Sequence, residues 1–294
     1  MELSYCIKKE DSYVSVRDVL KNYFYISSRL LPILKKNDLI RLNNNSTFID
    51  KTVSEGDIIS FSLDFDEDNS NIIPVEMPLD IVYEDEAIIV LNKAPNLAIH
   101  PTTYHFTDTL SNGLKFYFDA NNIHKIIRPV NRLDRNTSGL VIFAKNQFVQ
   151  EFLIRQMNNN LFIKKYHGII EGTFDQDSGT IDAPIARKEG SIIERCILPD
   201  GERAITHYNI LKKFSNYSLV EFELETGRTH QIRVHSAYLG HPLLGDTLYG
   251  NESALINRQA LHSYYLKFIH PISRKEVEFK IDLPDDMKKL ITLT

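Results

Sequence analysis

Residues 128–145 read Arg-Pro-Val-Asn-Arg-Leu-Asp-Arg-Asn-Thr-Ser-Gly-Leu-Val-Ile-Phe-Ala-Lys. The apolar run from Leu140 to Ala144 has the length and the β-branched content of a buried strand. Gly139, directly before this run, lets the backbone turn. Asp134 stands between two arginines in the polar part of the stretch, so we expect it on a loop that enters a core strand.

Asp134 has two interpretations at this point. A loop aspartate commonly caps a turn through the nearby backbone, and Thr137 and Ser138 would help it to do so. Alternatively, a lone carboxylate between Arg132 and Arg135 is a candidate catalytic group. The local sequence favours the capping interpretation, so the rest of the chain must decide between them.

Length and composition bound the answer. The chain has 294 residues, of which 43% are hydrophobic, enough for one large domain and a small one. Its apolar runs are too short to cross a bilayer, and the N-terminus lacks the pattern of a signal peptide. We therefore expect a cytoplasmic protein. Cys6 and Cys196 stand far apart and outside a Cys-x-x-Cys pattern, which predicts reduced thiols in or near the core.

The net charge of −5 is unevenly distributed. Residues 64–86 contain nine acidic side chains and neither Lys nor Arg, and the remainder has 30 acidic against 34 basic residues. Because local fields steer a polyanion more than the total charge does, the acidic balance is compatible with an RNA partner.

The chain divides into residues 1–64, an acidic linker with two prolines at 65–79, and a larger domain at 80–294. In the first unit, apolar spacing after Ser12 predicts a helix, and Ser27 or Ser28 is expected to cap a second helix that holds Pro32 in its first turn. A hairpin turning at Asn43 to Asn45 and a strand at 58–63 follow.

This order of elements resembles the S4-like RNA-binding domain. The resemblance implies a basic face for phosphate contacts, formed by Arg29, Lys35, Lys36 and Arg41. A solvated helix face is the alternative, since four basic residues are common on any surface. The hairpin lacks the usual glycine, and its asparagines can replace it.

The larger domain alternates strands with a few helices and shows no regular βαβ repeat. We predict an α+β fold with a mostly antiparallel mixed sheet. Thr107, Asn146 and Thr229 are predicted helix caps, and Gly240 is predicted to end the third of these helices.

Two kinds of chemistry find little support. His230, His235 and His241 are spaced by five and six residues, whereas ligands on one helix face are three or four apart. A metal site is therefore not predicted. Ser138 lacks the Gly-x-Ser-x-Gly elbow of serine hydrolases, and the chain has no glycine-rich phosphate loop.

Five motifs in order resemble the RluA/RluD-type pseudouridine synthase family over about residues 12 to 285. They include Asn131 to Leu140, which is similar to that family's His-Arg-Leu-Asp-x-x-Thr-Ser-Gly-Leu signature. The others are Asn92 to Pro95 with His100-Pro101, Lys165-Tyr166 with Gly172, Gly227 to His235, and Gly240 to Asp246 with Tyr249-Gly250.

The resemblance implies an RNA pseudouridine synthase that needs no cofactor. Asp134 would be the catalytic residue, Arg233 its ion-pair partner, and Tyr166 the active-site tyrosine that stacks on uracil and offers a phenol as acid or base. Without the motif, Tyr166 would equally suit a packed core position. Whether Asp134 attacks the sugar or the ring stays open.

Arg132 resembles the residue that supports the flipped nucleotide, with a surface salt bridge as the alternative. Weaker candidates for the RNA cleft are Lys93, Arg135, Lys145, Lys164, Arg187 and Arg228. His100, His230 and His235 are expected to make structural hydrogen bonds.

Two positions depart from the family pattern. Asn131 replaces the usual histidine, and Asn96 replaces a usual glycine in what we expect to be a left-handed turn. The appended S4-like unit resembles members that act on large-subunit ribosomal RNA, and transfer RNA is the other possibility. A non-catalytic RNA-binding or ribosome-assembly protein is the alternative function. We expect a monomer without a membrane partner.

Overall fold

The N-terminal part of the chain forms a small antiparallel sheet. The computed structural model describes residues 1–68, 70–102 and 105–292. The small sheet has the strand order β1-β4-β2-β3 and consists of Glu2–Cys6 (β1), Ile40–Leu42 (β2), Asn45–Ser46 (β3) and Ile58–Ser62 (β4). Asn43 and Asn44 turn the β2–β3 hairpin with φ of 51° and 66°. Asparagine thus fills the left-handed positions, as the sequence predicts.

Short helices pack on this sheet. Helix Val16–Asp18 (α1) continues into the π-helix Val19–Tyr23, and Leu30–Lys36 (α2) follows. The predicted helix is confirmed, but it begins after Ser15, whose hydroxyl accepts the backbone N–H of Asp18, and leaves out Val14. Arg29 directly precedes α2 and makes no side-chain cap, while the Ser27 hydroxyl accepts the backbone N–H of Leu30 at 3.1 Å from two residues further back.

The quoted stretch contributes a fully buried strand to a ten-stranded sheet. The strands after β4 are Ile81–Glu84 (β5), Ile88–Lys93 (β6), Arg128–Pro129 (β7), Ser138–Ala144 (β8), Ile163–Glu171 (β9), Ser178–Asp182 (β10), Ile185–Arg187 (β11), Arg195–Ile197 (β12), Ile205–Lys213 (β13), Tyr217–Leu224 (β14), Leu261–Ile269 (β15) and Glu276–Lys280 (β16). The large sheet runs β10-β13-β14-β9-β15-β8-β6-β5, with β16 on β15 and β7 on β8, while β11 and β12 pair separately. Only β8 and β15 run parallel among the described pairs, which confirms the α+β, mostly antiparallel fold.

Four further helices complete the larger unit: Leu110–Ala120 (α3), Gln147–Asn158 (α4), Gln231–Tyr238 (α5) and Asp285–Thr292 (α6). Thr109, not the predicted Thr107, caps α3 with its side chain. The predicted Asn146 cap is confirmed, since its side-chain oxygen accepts the Val149 N–H at 2.9 Å. Gly240 follows α5 with φ of 82°. Within the described residues, every helix is too short or too polar to cross a membrane.

The small sheet and the larger unit share one hydrophobic core. Phe61 of β4 meets Phe148 of α4 edge to face, with ring centroids 5.8 Å apart, and both belong to one cluster of buried residues. The Ser27 hydroxyl donates to Glu151 of α4 at 2.7 Å. The small sheet is therefore held against α4, and the boundaries at residues 64 and 79 stay a prediction.

The predicted linker also packs against the larger unit. Ile72 is buried, and the Arg128 guanidinium donates to Glu67 at 2.7 Å. A Cβ added to Gly113 of α3 would lie 2.4 Å from Met77. The acidic segment therefore follows the surface of the larger unit closely.

The two cysteines are free thiols. Cys196 is half-buried on β12, but Cys6 is exposed on β1, so the expectation of a near-core position was wrong for Cys6. Alternate residues of β1 point to solvent, and Cys6 falls on the solvent-facing side.

Candidate active site

The three predicted catalytic residues line one cavity of about 240 Å³. Asp134 comes from the loop before β8, Tyr166 from β9 and Arg233 from α5. Apolar side chains form much of the remaining wall, among them Val130, Leu133, Met157, Leu224, Ile232 and Leu261. An apolar cavity with a few converging polar groups is the usual form of a small-molecule or nucleotide site.

The Asp134 loop is fixed by its backbone. The Asp134 carbonyl accepts the Thr137 N–H at 3.1 Å, so the main chain makes the turn. Gly139 has φ of 114°, and a Cβ there would lie 2.2 Å from the Ser263 carbonyl oxygen of β15. Only glycine fits this close approach. Among the described residues, the Asp134 carboxylate accepts a hydrogen bond from Arg233 and from no backbone N–H of the turn, which removes the main support for the capping interpretation.

Arg233 connects two carboxylates. Its Nη1 donates to Asp134 Oδ2 at 3.2 Å, while Nε and Nη2 donate to the two oxygens of Asp246 at 2.7 and 2.8 Å. Burial opposes the guanidinium charge, but the hydrogen bonds and charges of Asp246 and Asp134 prevail and raise the pKa of Arg233. Asp246 therefore orients the arginine that faces Asp134.

The two carboxylates differ in access. The Asp246 side chain is fully buried and also accepts the backbone N–H groups of Leu248 and Tyr249. The Asp134 side chain keeps 25% of its surface exposed. Asp134 is therefore the carboxylate that a bound molecule can reach. The sequence gives Asp246 no role beyond its place in the Gly240 to Asp246 motif, because its pairing with Arg233 is a tertiary contact.

His230 also reaches Asp134. Its Nε2 lies 3.8 Å from Asp134 Oδ2, and its Nδ1 lies 2.8 Å from the Tyr249 hydroxyl. Burial lowers the pKa of His230, so the ring is neutral at pH 7. His230, with φ of 59°, directly precedes α5 and makes no side-chain cap; the predicted Thr229 cap was wrong.

Tyr166 packs in the core and also lines the cavity. It belongs to a buried apolar cluster and is 5% exposed. Burial, together with the Asp134 charge, raises the pKa of the phenol. The hydroxyl is thus protonated at neutral pH and offers a donor, which argues against a role as a base.

The predicted RNA-binding residues fall into separate places. Arg132 is exposed at the cavity. Arg228 lines the same cavity and is tied to Glu202 and to the Arg203 carbonyl. Lys93 was predicted wrongly as a cleft residue: it is 1% exposed, and its ammonium donates to the carbonyls of Ala94, Leu97 and Arg135 at 2.8 to 2.9 Å.

The basic residues of the small sheet lie outside this cavity. Arg29, Lys35 and Lys36 are exposed around α2. Arg41 is half-buried and 3.5 Å from Asp38. Their role in phosphate binding stays a prediction.

Both departures from the family pattern have a structural explanation. Asn131 is buried, its Nδ2 donates to the Leu140 carbonyl at 3.1 Å, and its Oδ1 accepts the Ile142 N–H at 2.8 Å. The amide thus holds β8 beside the loop. Asn96 has φ of 60°, which confirms the predicted left-handed turn.

A second cavity of about 430 Å³ adjoins the first. Gly227 and Arg228 line both cavities. Arg187 and Arg195 of the β11–β12 hairpin face the second one. Over the residues the structure describes, no group of three or more His, Cys, Asp or Glu is suited to hold a metal ion.

Comparisons with known proteins give one consistent family. A family model described as RNA pseudouridylate synthase matches residues 87–238. An uncharacterized RNA pseudouridine synthase of Bacillus subtilis (strain 168) is 40% identical over 268 residues, covering 90% of this chain and 94% of that protein. The ribosomal large subunit pseudouridine synthase D of Zymomonas mobilis is 39% identical over 235 residues, with 75% and 74% coverage. The solved structure of human RNA pseudouridylate synthase domain containing 1 matches 74% of this chain and 87% of its own, with a TM-score of 0.60 and 27% identity.

Proposed function

Because the chain belongs to the RNA pseudouridylate synthase family and is an RNA pseudouridine synthase, an isomerase, we propose that Asp134 is its catalytic carboxylate and large-subunit ribosomal RNA its substrate. One observation carries the catalytic part of this proposal. Asp134 is the reachable carboxylate of the cavity and lies 3.2 Å from an arginine that a second, fully buried carboxylate orients.

The chemistry fits a single carboxylate. Conversion of uridine to pseudouridine breaks the C1′–N1 and C5–H bonds and forms the C1′–C5 and N1–H bonds. No group is added or lost overall, so no cofactor is required. An ionised Asp134 can stabilise positive charge at C1′ or attack the uracil ring. Both routes use the negative form of Asp134, to which Arg233 Nη1 donates a hydrogen bond at 3.2 Å.

The other cavity residues support this reaction. Tyr166 provides an aromatic face for the uracil and a protonated hydroxyl beside it. The target nucleotide must leave its stack to enter the cavity, and exposed Arg132 stands where it can support the extruded nucleotide. The apolar wall limits access of water, which would otherwise add to C1′ after the C1′–N1 bond breaks and prevent the C1′–C5 bond from forming.

Replacement of Asp134 by Asn tests the catalytic role. We expect loss of pseudouridine, detected by carbodiimide labelling of RNA, because the neutral amide can neither stabilise charge at C1′ nor attack. RNA binding and the thermal unfolding temperature should be retained. Asp282→Asn is the matched control, because that side chain is 93% exposed. Full activity of Asp134→Asn would overturn the assignment.

Ribosomal RNA as the substrate is supported by the similarity to the ribosomal large subunit pseudouridine synthase D of Zymomonas mobilis. The exposed basic residues Arg29, Lys35 and Lys36, with Arg41, support an S4-like phosphate-binding role for the small sheet. Mapping carbodiimide-labelled sites in cells with and without the gene tests the substrate. Sites lost only from transfer RNA would contradict it.

A further inference from the structure

Lys164 is a buried cation without a partner. It lies on β9, two residues before Tyr166, and lines the cavity of Asp134. It is 8% exposed. Among the residues that the structure describes, none accepts a hydrogen bond from its ammonium group or forms an ion pair with it.

The other buried cations show how unusual this is. Six Lys and Arg residues are buried in the described part of the chain: Lys93, Lys115, Arg128, Lys164, Arg233 and Arg258. Lys93 donates to three carbonyls, and the other four each contact a carboxylate. Because a buried charge is costly unless it is paired, the unpaired ammonium indicates that an anion from outside the chain completes the site.

The surroundings of Lys164 indicate where that anion binds. A Cβ on Gly227 would lie 3.5 Å from Lys164 Nζ, so the ammonium is close to the backbone shared by the two cavities. The second cavity continues from Gly227 with Arg187, Arg195 and Arg228. An anion bound to Lys164 would therefore lie where an RNA strand could pass from one cavity to the next.

Lys164 shares the cavity of Asp134, but the described ion pairs of Asp134 are with His230 and Arg233. The Asp134 charge acts on Tyr166, His230 and Lys93. For Lys164, in contrast, burial is the cause that lowers the pKa to about 8. The Lys164 ammonium is therefore available to a group other than Asp134.

We propose that Lys164 binds a backbone phosphate next to the target nucleotide and so seats the RNA strand at the junction of the two cavities. This proposal rests on the proposed function. Lys164 is a binding residue here and takes no part in bond breaking.

Lys164→Gln tests the proposal in steady-state kinetics on an unmodified transcript of large-subunit ribosomal RNA. We expect the RNA concentration at half-maximal rate to rise about tenfold, since a charge-assisted hydrogen bond is lost. The rate at saturating RNA should stay within about twofold. The log–log slope of RNA binding against salt should become less steep by about 0.7, the value of one phosphate contact on a single strand.

Two variants serve as controls. Lys164→Arg keeps the positive charge and should retain the salt slope. Lys165→Gln removes the same charge from the neighbouring position of β9, where the side chain pairs with Glu221 and Glu223; it should match the unaltered protein in both readouts. If Lys164→Gln slows the saturated rate but keeps the half-saturation and the slope, the lysine acts on the reacting base and the proposal is wrong. Unchanged kinetics and slope would also overturn it.

A stability measurement separates binding from folding. Removing a buried, unpaired charge should raise the thermal unfolding temperature of Lys164→Met in the absence of RNA. A lower temperature would identify a structural lysine and contradict the proposal. If the unaltered protein forms no pseudouridine in the transcript, the proposed substrate fails, and the salt slope of RNA binding by Lys164→Gln still decides the role of Lys164.

Discussion

At the scale of single residues, the site depends on how one guanidinium is divided between two carboxylates. Asp246 takes the Nε and Nη2 groups of Arg233, which leaves Nη1 for Asp134. A bidentate contact fixes the plane of the guanidinium. Asp246 thereby fixes the orientation of the Arg233 guanidinium relative to Asp134, although Asp246 itself is inaccessible to substrate.

Asp246→Asn should therefore lower kcat, although residue 246 does not contact the substrate. Loss of a charge-assisted contact costs about 1.5–3 kcal/mol, so we expect a decrease of about 10- to 100-fold. The half-saturating RNA concentration should change little. Single-turnover kinetics on ribosomal RNA measure both values. Unaltered kcat in a folded Asp246→Asn protein would show that Arg233 needs no such anchor.

At the scale of elements, β9 and β15 place two histidines opposite each other. His167 and His262 are cross-strand partners. Burial lowers the pKa of each to about 4, and His167 Nδ1 and His262 Nε2 have no hydrogen-bond partner among the described atoms. Both rings are thus neutral at pH 7, while unfolded histidine titrates near pH 6.5.

This pair predicts a pH dependence of stability. Between about pH 6.5 and 4 the unfolded chain binds more protons than the folded chain, so the free energy of unfolding falls as pH falls. Above pH 6.5 this contribution is fully present. Urea denaturation at several pH values measures it. His262→Asn, which removes one titrating ring, should show a shallower fall; an identical fall would contradict the assignment.

The sequence predicts elements well where the signal is local. The apolar run of β8, the Asn146 cap of α4 and the Asn43–Asn44 turn all depend on neighbours in the chain. β1 escaped detection because its five residues alternate between exposed and half-buried positions and include no strong apolar run. α5 follows a left-handed His230 whose conformation depends on tertiary contacts.

The same limit applies to the site. Asp134, Tyr166 and Arg233 were found through motifs, and the structure brings them into one cavity. Lys93 had the same apparent basic character as a cleft residue, yet three carbonyls from two loops enclose it. The role of Asp246 depends on its tertiary contact with Arg233. The role of Lys164 depends on the lack of a partner among the described residues around it.

At the scale of the whole molecule, the shared core predicts cooperative unfolding. Phe61 is fully buried and contacts rings from both units, Phe24 and Phe148. Phe61→Ala should lower the free energy of unfolding by about 3–5 kcal/mol, in one transition that removes far-UV circular dichroism and activity together.

Phe48→Ala is the control within the same unit, since Phe48 is 87% exposed. It should change the free energy of unfolding by no more than about 0.5 kcal/mol. Separate transitions in Phe61→Ala, with activity outlasting the loss of the small sheet, would show that the two units are energetically independent.

The contact between Phe61 and Phe148 also places a distance requirement on the proposed RNA substrate. Because the small sheet packs against α4, the fold fixes the distance between the basic residues around Arg29 and the Asp134 cavity. An RNA that binds at both places must hold its target uridine at that distance from the phosphates that contact the basic residues. The protein would then select its target uridine by the three-dimensional shape of the RNA rather than by its nucleotide sequence.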